Sequence, residues 1–174
     1  FLSKKETLDI IHNPKDINNL KLARTKLKYE ELFMFMLKIN YLKNKNHKIG
    51  LKKIIDFNKV QELINNLPFE LTKDQLKSIK EIYEDMIDPK QMNRLLQGDV
   101  GSGKTIVSFI SLYMNYLAGY QGSLMAPTEI LSIQHYNNIK KILPDLNIEL
   151  LTGKTKAKEK NEILKKLKNN EIDI

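Results

Sequence analysis

The chain of 174 residues contains no cysteine and only three histidines, at positions 12, 47 and 135. Without cysteine, neither a disulfide scaffold nor a thiolate metal site can form. The histidines are scattered and show no metal-ligand spacing. These absences exclude a disulfide-stabilised secreted domain and predict no protein-held metal centre.

Long hydrophobic runs are also missing, because no stretch of about 18 consecutive apolar residues occurs. The first residues, FLSKKETLDIIHNP, lack the layout of a signal peptide. We therefore expect a soluble, cytoplasmic protein that does not contact a membrane.

Arginine is scarce, with only Arg24 and Arg94 beside 27 lysines, and the formal net charge is +8. The excess lies at the start of the chain: residues 1–67 carry 14 basic against 7 acidic residues, whereas 68–174 carry 15 against 14. Charge alone leaves two interpretations open, a nucleic-acid surface or lysines on solvated helix faces.

The first 66 residues contain helical patterns and no convincing strand. Ser3 and Glu6 form a capping box for a short helix, and a second short helix is predicted over residues 16–25. The segment KLKYEELFMFMLKINYLKNK then carries apolar residues around much of a helix, which predicts a buried packing element. Residues 42–53 read as a loop, and Asp56 caps a further helix.

After Pro68 the pattern changes to alternating helices and strands. Thr72 and Gln75 form a capping box for a helix that ends before Pro89. Strand and helix then alternate three times before a last strand, which predicts an α/β fold with a parallel sheet and flanking helices. The predicted pairs are 93–97 with 104–117, 122–126 with 129–142, and 148–151 with 155–168, followed by a strand at 172–174.

The segment RLLQGDVGSGKTIVSFISLYMNYL contains the phosphate-binding pattern G-x-x-x-x-G-K-[ST] between an apolar run and a helical pattern. A loop with three glycines can turn its N–H groups inward at a helix N-terminus, where they meet a triphosphate. Lys104 is then expected to reach the β and γ phosphates, and the Thr105 hydroxyl to hold Mg²⁺. The alternative is a glycine-rich turn that only joins a strand to a helix. The loop consists of Gly98, Asp99, Val100, Gly101, Ser102, Gly103, Lys104 and Thr105.

Four segments in this order, LPFELTKDQ, RLLQGDVGSGKT, GYQGSLMAPTEILSIQH and LLTGKTKAKEK, resemble the RecG family of superfamily 2 helicases. The resemblance covers residues 67–174 closely and extends more weakly through IIHNP and LARTKLKYEEL. It implies that residues 67–174 are the N-terminal part of helicase motor domain 1, a partial RecA-like P-loop NTPase domain. Residues 1–66 then correspond to the helical linker that joins the wedge domain to the motor.

The resemblance also assigns roles to individual residues. Gln75 matches the glutamine that reads adenine, although capping alone also accounts for it. Phe69 lies against the adenine or packs beneath the sheet. Two turns match DNA-backbone motifs, and the first of them could instead be an ordinary strand end and helix cap. These turns contain Ala126, Pro127 and Thr128 (motif Ia), and Thr152 and Gly153 (motif Ib).

Several parts of such a motor have no counterpart in the sequence. No apolar strand ends in Asp-Glu as Walker B requires, and no second motor domain supplies arginine fingers. We therefore expect an internal piece of a larger protein, carrying the ATP-binding half-site only, that binds nucleotide weakly and has negligible turnover by itself.

The resemblance implies an ATP-dependent DNA helicase and translocase that acts on stalled forks and Holliday junctions in recombination and repair. Its cofactors are ATP and Mg²⁺, and its partners are branched double-stranded DNA and the wedge and second motor domains of the same polypeptide. We expect a monomer. Two alternatives stay open: a transcription-repair coupling translocase of the same superfamily, and a nucleotide-binding module without motor activity.

Overall fold

The structure is a computed structural model that describes residues 2–45 and 50–174. The chain divides into two compact units, Phe1–Lys48 and Ile49–Ile174. The described residues form seven α-helices: α1 (Lys4–His12), α2 (Ile17–Lys45), α3 (Phe57–Asn65), α4 (Lys73–Ile87), α5 (Lys104–Leu117), α6 (Glu129–Ile142) and α7 (Ala157–Lys168).

The first unit consists of α1 packed against α2. The predicted capping box at the start of α1 is confirmed, because the Glu6 N–H donates to Ser3 Oγ at 3.2 Å and the Ser3 N–H donates to Glu6 Oε2 at 2.7 Å. Thr7 of α1 and Ala23 of α2 are fully buried. The small side chain of Ala23 suits a close approach between two helices.

Helix α2 differs from the prediction in two ways. It runs without interruption over 29 residues instead of beginning as a separate short helix, and it includes part of the predicted loop 42–53. Residues 46–49 of that loop lie outside the described residues. The expectation that the apolar side chains of α2 are buried is wrong, since those between Leu32 and Leu42 are 42–65% exposed.

The exposure of α2 follows from helix lengths. At 1.5 Å per residue, the nine residues of α1 span about 13 Å and cannot cover the roughly 43 Å of α2. Despite its length and apolar content, neither α2 nor any other helix in the described ranges is long and apolar enough to cross a membrane.

The second unit is built around α5, whose buried side chains come from most of its circumference. Helices α3 and α4 pack against it. Asp56 caps α3 as predicted, its carboxylate accepting the Asn58 N–H at 3.0 Å. The sequence pattern places residues 49–66 in the helical segment 1–66, but in the structure Ile55 and Val60 belong to the core formed with α4 and α5. Hydrophobic burial therefore moves the division between the units to residues 48 and 49.

The helices of this unit lie where the sequence predicts them. Helices α5 and α6 have the predicted bounds, and α7 begins two residues later than predicted. The Thr72 capping box is confirmed, with the Gln75 N–H donating to Thr72 Oγ1 at 3.3 Å and the Thr72 N–H donating to Gln75 Oε1 at 2.8 Å. These bounds are set by caps and local periodicity, which are properties of short segments.

Unlike the helices, the predicted strands are not observed. No regular strand forms in the described chain at residues 93–97, 122–126, 148–151 or 172–174. A strand needs a neighbouring strand to pair with its backbone. Leu95 and Met125 are 88% and 91% exposed, so no neighbouring element covers these two side chains.

Fragments of strand pairing are nevertheless present. The Asp173 N–H donates to Asn147 O at 2.8 Å, and the Glu149 N–H donates to Ile174 O at 3.1 Å. Paired residue numbers rise together along the two segments, which is the order of parallel chains. The Gly122 N–H donates to Asp173 O at 2.8 Å, so the last segment also reaches the start of 122–126.

Truncation of Ile110 tests the position of this core. Ile110 on α5 is 0% exposed, whereas Ile54 is 88% exposed. We expect Ile110→Ala to lower the free energy of unfolding by about 2–5 kcal/mol, because it removes buried methyl groups and leaves a cavity. The matched substitution Ile54→Ala is expected to change it by about 0.5 kcal/mol or less. Equal effects of the two variants in chemical denaturation would contradict this placement of the core.

Candidate nucleotide-binding site

The predicted phosphate loop joins residues 93–97 to the N-terminus of α5. Gly101 and Gly103 have φ values of 84° and 76°, in the left-handed region that residues with a Cβ rarely enter. The Ser102 N–H donates to Asp99 O at 3.2 Å and closes a tight turn. Gly98 to Ser102 are exposed, with Val100 at the tip, so a ligand can reach the loop.

The ammonium group of Lys104 lies inside this loop. Its Nζ donates to Gly98 O and Asp99 O, each at 2.7 Å, and lies 3.4 Å from Ser102 Oγ. All three partners are neutral oxygens of the loop itself, and among the residues that the structure describes no carboxylate forms an ion pair with this ammonium. The structure therefore places a positive charge within the predicted phosphate loop.

The first turn of α5 adds hydrogen-bond donors. Gly103 is the N-cap and provides no side-chain cap, while the first N–H groups of any α-helix lack partners within the helix. Ile106 has its N–H satisfied by Gly103 O at 3.2 Å. Thr105 is exposed on this turn, and its hydroxyl makes no hydrogen bond within the part of the chain that the structure describes. These groups suit an anion and, at Thr105, a metal ion that accompanies it.

Gln75 contacts the phosphate loop as well as capping α4. Its Nε2 donates to Ser102 O at 2.9 Å, across 27 positions of sequence. The capping interpretation is thus confirmed, and the structure adds a link that the sequence did not predict. An amide has two donors and two acceptor lone pairs, so these two contacts use one donor and one lone pair of Gln75 and leave one of each.

The sequence also did not predict a contact between α4 and the segment before the loop. Arg94 donates from Nε to Asp85 Oδ2 at 2.7 Å and from a terminal nitrogen to Glu81 Oε2 at 2.6 Å. The signal in the sequence was the use of arginine in a chain that otherwise uses lysine.

Phe69 lies apart from this arrangement, on the connection between α3 and α4. It lines an open groove of about 690 Å³ together with Gln61, Ile64 and Leu76. No residue of the phosphate loop lines that groove. The structure therefore does not join Phe69 to the loop, and its contact with adenine remains a prediction.

The two turns predicted to touch DNA are well defined locally. Thr128 is the N-cap of α6, where its Oγ1 accepts the Leu131 N–H at 3.3 Å, and Pro127 is exposed just before it. In the other turn, Thr152 Oγ1 accepts the Lys154 N–H at 3.3 Å. A side chain at Gly153 would meet no atom within 4 Å, so this position is open.

An ion pair brings the two turns together. Lys154 Nζ lies 3.1 Å from Glu129 Oε2, which is on the first turn of α6. The predicted residues Ala126, Pro127, Thr128, Thr152 and Gly153 therefore belong to two turns that share one contact. None of these residues is hydrogen-bonded to the phosphate loop in the described ranges.

Comparison with known families matches residues 72–174 to the DEAD/DEAH box helicase model. The chain is 41% identical to the ATP-dependent DNA helicase RecG of Streptococcus pneumoniae, covering 100% of this chain and 26% of the relative. It is 42% identical to the protein of the same name from Bacillus subtilis, covering 97% of this chain and 25% of the relative.

A solved structure is similar to this chain in its fold as well as in its sequence. The structure of RecG bound to a three-way DNA junction superimposes with a TM-score of 0.79 at 44% identity, covering 97% of this chain and 24% of that chain. The chain thus spans about a quarter of the length of the proteins it matches.

Substitution of Gly103 tests the loop geometry. In Gly103→Ala, the new Cβ would lie 2.3 Å from Gln75 Nε2 and would need a φ of 76°. We expect the loop to leave this conformation and binding of a fluorescent ATP analogue to weaken about tenfold, since the left-handed backbone costs about 1–2 kcal/mol with a Cβ. Unchanged affinity would contradict the described loop. Gly153→Ala, where the Cβ has open space, is the control for thermal stability.

Proposed function

This chain belongs to the DEAD/DEAH box helicase family, and on that premise we propose that it provides the ATP-binding site of a DNA translocase of the RecG kind. The observation that carries the proposal is the phosphate loop, with its two left-handed glycines and the Lys104 ammonium at the N-terminus of α5. The substrate proposed for the whole protein is branched DNA at stalled forks and junctions, in recombination and repair.

The residues of the loop suit Mg²⁺ and ATP. Backbone N–H groups and Lys104 would hold the phosphate oxygens, the Thr105 hydroxyl would hold the metal, and Gln75 would offer its free donor and acceptor to adenine. Bound Mg²⁺ neutralises charge that develops on the transferring phosphoryl group. Phe69 is kept in the proposal as a residue that could lie against the adenine.

The DNA-facing part of the proposal rests on the two turns joined by Lys154 and Glu129. Pro127 and Thr128 would contact the backbone from one turn, and Thr152 and Gly153 from the other. Exposed N–H and hydroxyl groups at turns are common ligands of phosphate. The two-turn contact and the junction-bound relative both support this assignment.

Further parts of the proposal concern the complete protein. The extended segments near residues 93–97, 122–126, 148–151 and 172–174 would form a parallel sheet of a RecA-like motor domain, and the first helices would link it to a wedge domain. The whole would act as a monomer in the cytoplasm, with a second motor domain closing over the nucleotide. The partial parallel pairing of 147–149 with 173–174 supports the sheet.

Removal of the Lys104 ammonium tests the nucleotide site. In the full-length protein we expect Lys104→Ala to lower ATPase activity stimulated by fork DNA by about 100-fold or more, because it removes a charged donor aimed at the phosphates. Release of inorganic phosphate, with and without fork DNA, measures the effect. Lys80→Ala removes an exposed lysine of α4 and is the control. Stimulation that survives Lys104→Ala would refute the proposed role.

A matched pair at Gly153 tests the DNA surface. Both Gly153→Asp and Gly153→Asn fit the open space there, but only aspartate adds a negative charge. A unit charge 4 Å from a phosphate costs about 1 kcal/mol in water, so we expect about fivefold weaker binding of fork DNA for the aspartate variant alone. The difference should shrink as salt rises from about 0.05 to 0.3 M. Equal affinities of the two variants at low salt would contradict the assignment.

A further inference from the structure

We propose that Arg94 is a positioning residue for the phosphate loop, clamped by Glu81 and Asp85 of α4 so that the segment before Gly98 is held in place for nucleotide binding. The inference rests on the proposed function, and it assigns to three side chains outside the loop a part in forming the site. Its basis is the geometry of the Arg94 guanidinium.

The two carboxylates hold different nitrogens of one guanidinium. Asp85 accepts from Nε at 2.7 Å and Glu81 accepts from a terminal nitrogen at 2.6 Å. Glu81 and Asp85 are four residues apart on α4 and therefore lie one above the other on the same face. The guanidinium is thus fixed in both position and orientation, which a single ion pair would not achieve.

The chemistry of this contact requires arginine. A guanidinium presents donors in a planar fork, whereas an ammonium is a point charge on a flexible stem. The chain has 27 lysines and two arginines, so its general composition would supply lysine at this position. Arg94 is placed where two carboxylates must be held at once, and Arg24 is an exposed residue of α2.

The segment that Arg94 belongs to has few other restraints. Residues 92–97 make no backbone hydrogen bond to another backbone group in the described chain. Leu96 is half-buried against the core, and Arg94 is the other anchor. Gly98, whose carbonyl accepts from Lys104, follows four residues after Arg94. Displacement of the backbone at Arg94 would therefore also displace the loop.

Helix α4 consequently holds both the segment before the loop and the loop itself. Glu81 and Asp85 fix the chain before the loop, and Gln75, nearer the start of the same helix, fixes Ser102 within it. Since one helix makes both contacts, the positions of Arg94 and Ser102 are both tied to α4.

The electrostatics agree with a positioning role. The pKa of Arg94 is raised from its ordinary value, first by the hydrogen bond with Asp85 and further by the charges of Asp85 and Glu81. The three side chains are 33–39% exposed, and ion pairs this accessible to water contribute little to global stability. Loss of the clamp should therefore affect the loop more than the fold.

The experiment measures nucleotide affinity and stability of the full-length protein side by side. We expect Arg94→Lys, Arg94→Ala and the double variant Glu81→Gln/Asp85→Asn each to raise the Kd for a fluorescent ATP analogue and the KM for ATP roughly three- to tenfold. At saturating ATP, kcat should stay within about twofold, because a loss of uniform binding raises KM alone. The midpoint of thermal unfolding should fall by no more than about 4 °C.

A combined variant tests whether the three side chains act as one unit. When Arg94→Ala is added to Glu81→Gln/Asp85→Asn, we expect no further rise in Kd, because the interaction is already lost. Arg24→Lys is the control and should leave Kd and KM unchanged. Additive effects in the combined variant, or a fall in thermal midpoint with unchanged Kd, would overturn the clamp.

Lys104→Ala separates this inference from the function it rests on. If Lys104→Ala abolishes nucleotide binding while the Arg94 variants match Arg24→Lys, the clamp is refuted and the nucleotide site stands. If Lys104→Ala binds nucleotide as well as the unsubstituted protein does, the proposed site itself fails. If affinity falls in Lys104→Ala and in the Arg94 variants, and the combined variant shows no further rise in Kd, both the nucleotide site and the clamp are supported.

Discussion

The left-handed backbone at Gly101 and Gly103 is the constraint on which the candidate site depends. With φ values near 80°, these residues turn the chain tightly enough for the loop carbonyls to surround one ammonium group. A Cβ at Gly103 would collide with Gln75. The choice of glycine thus serves two needs, a backbone conformation and the close approach of the amide that links α4 to the loop.

Much of the helical framework could be predicted because its signals are local. Ser3, Asp56 and Thr72 cap helices as predicted, and α5 begins at Lys104, directly after Gly103. The contacts of Gln75 with Ser102 and of Arg94 with α4 could not be predicted in the same way. They join residues 9 to 27 positions apart, and no short-range pattern specifies such a meeting, although the rarity of arginine was visible.

The predictions that depended on distant partners were less successful. The apolar content of α2 correctly indicates a helix, but burial needs a second surface, and α1 is too short to provide it along the whole length. The strand segments show the same limit. Their sequence favours extended chain, yet backbone pairing occurs only where a neighbour is present, as in the few hydrogen bonds between 147–149 and 173–174.

The hydrogen bonds of the Lys104 ammonium determine what an anion must displace in order to bind it. An ammonium group has three N–H donors, and here three loop oxygens lie within reach of them. An incoming anion must therefore exchange with these oxygens rather than fill an empty coordination position. Weakly charged anions gain little from such an exchange, whereas a polyphosphate offers several charged oxygens for each carbonyl it displaces. Exchange at this loop therefore favours anions of high charge density.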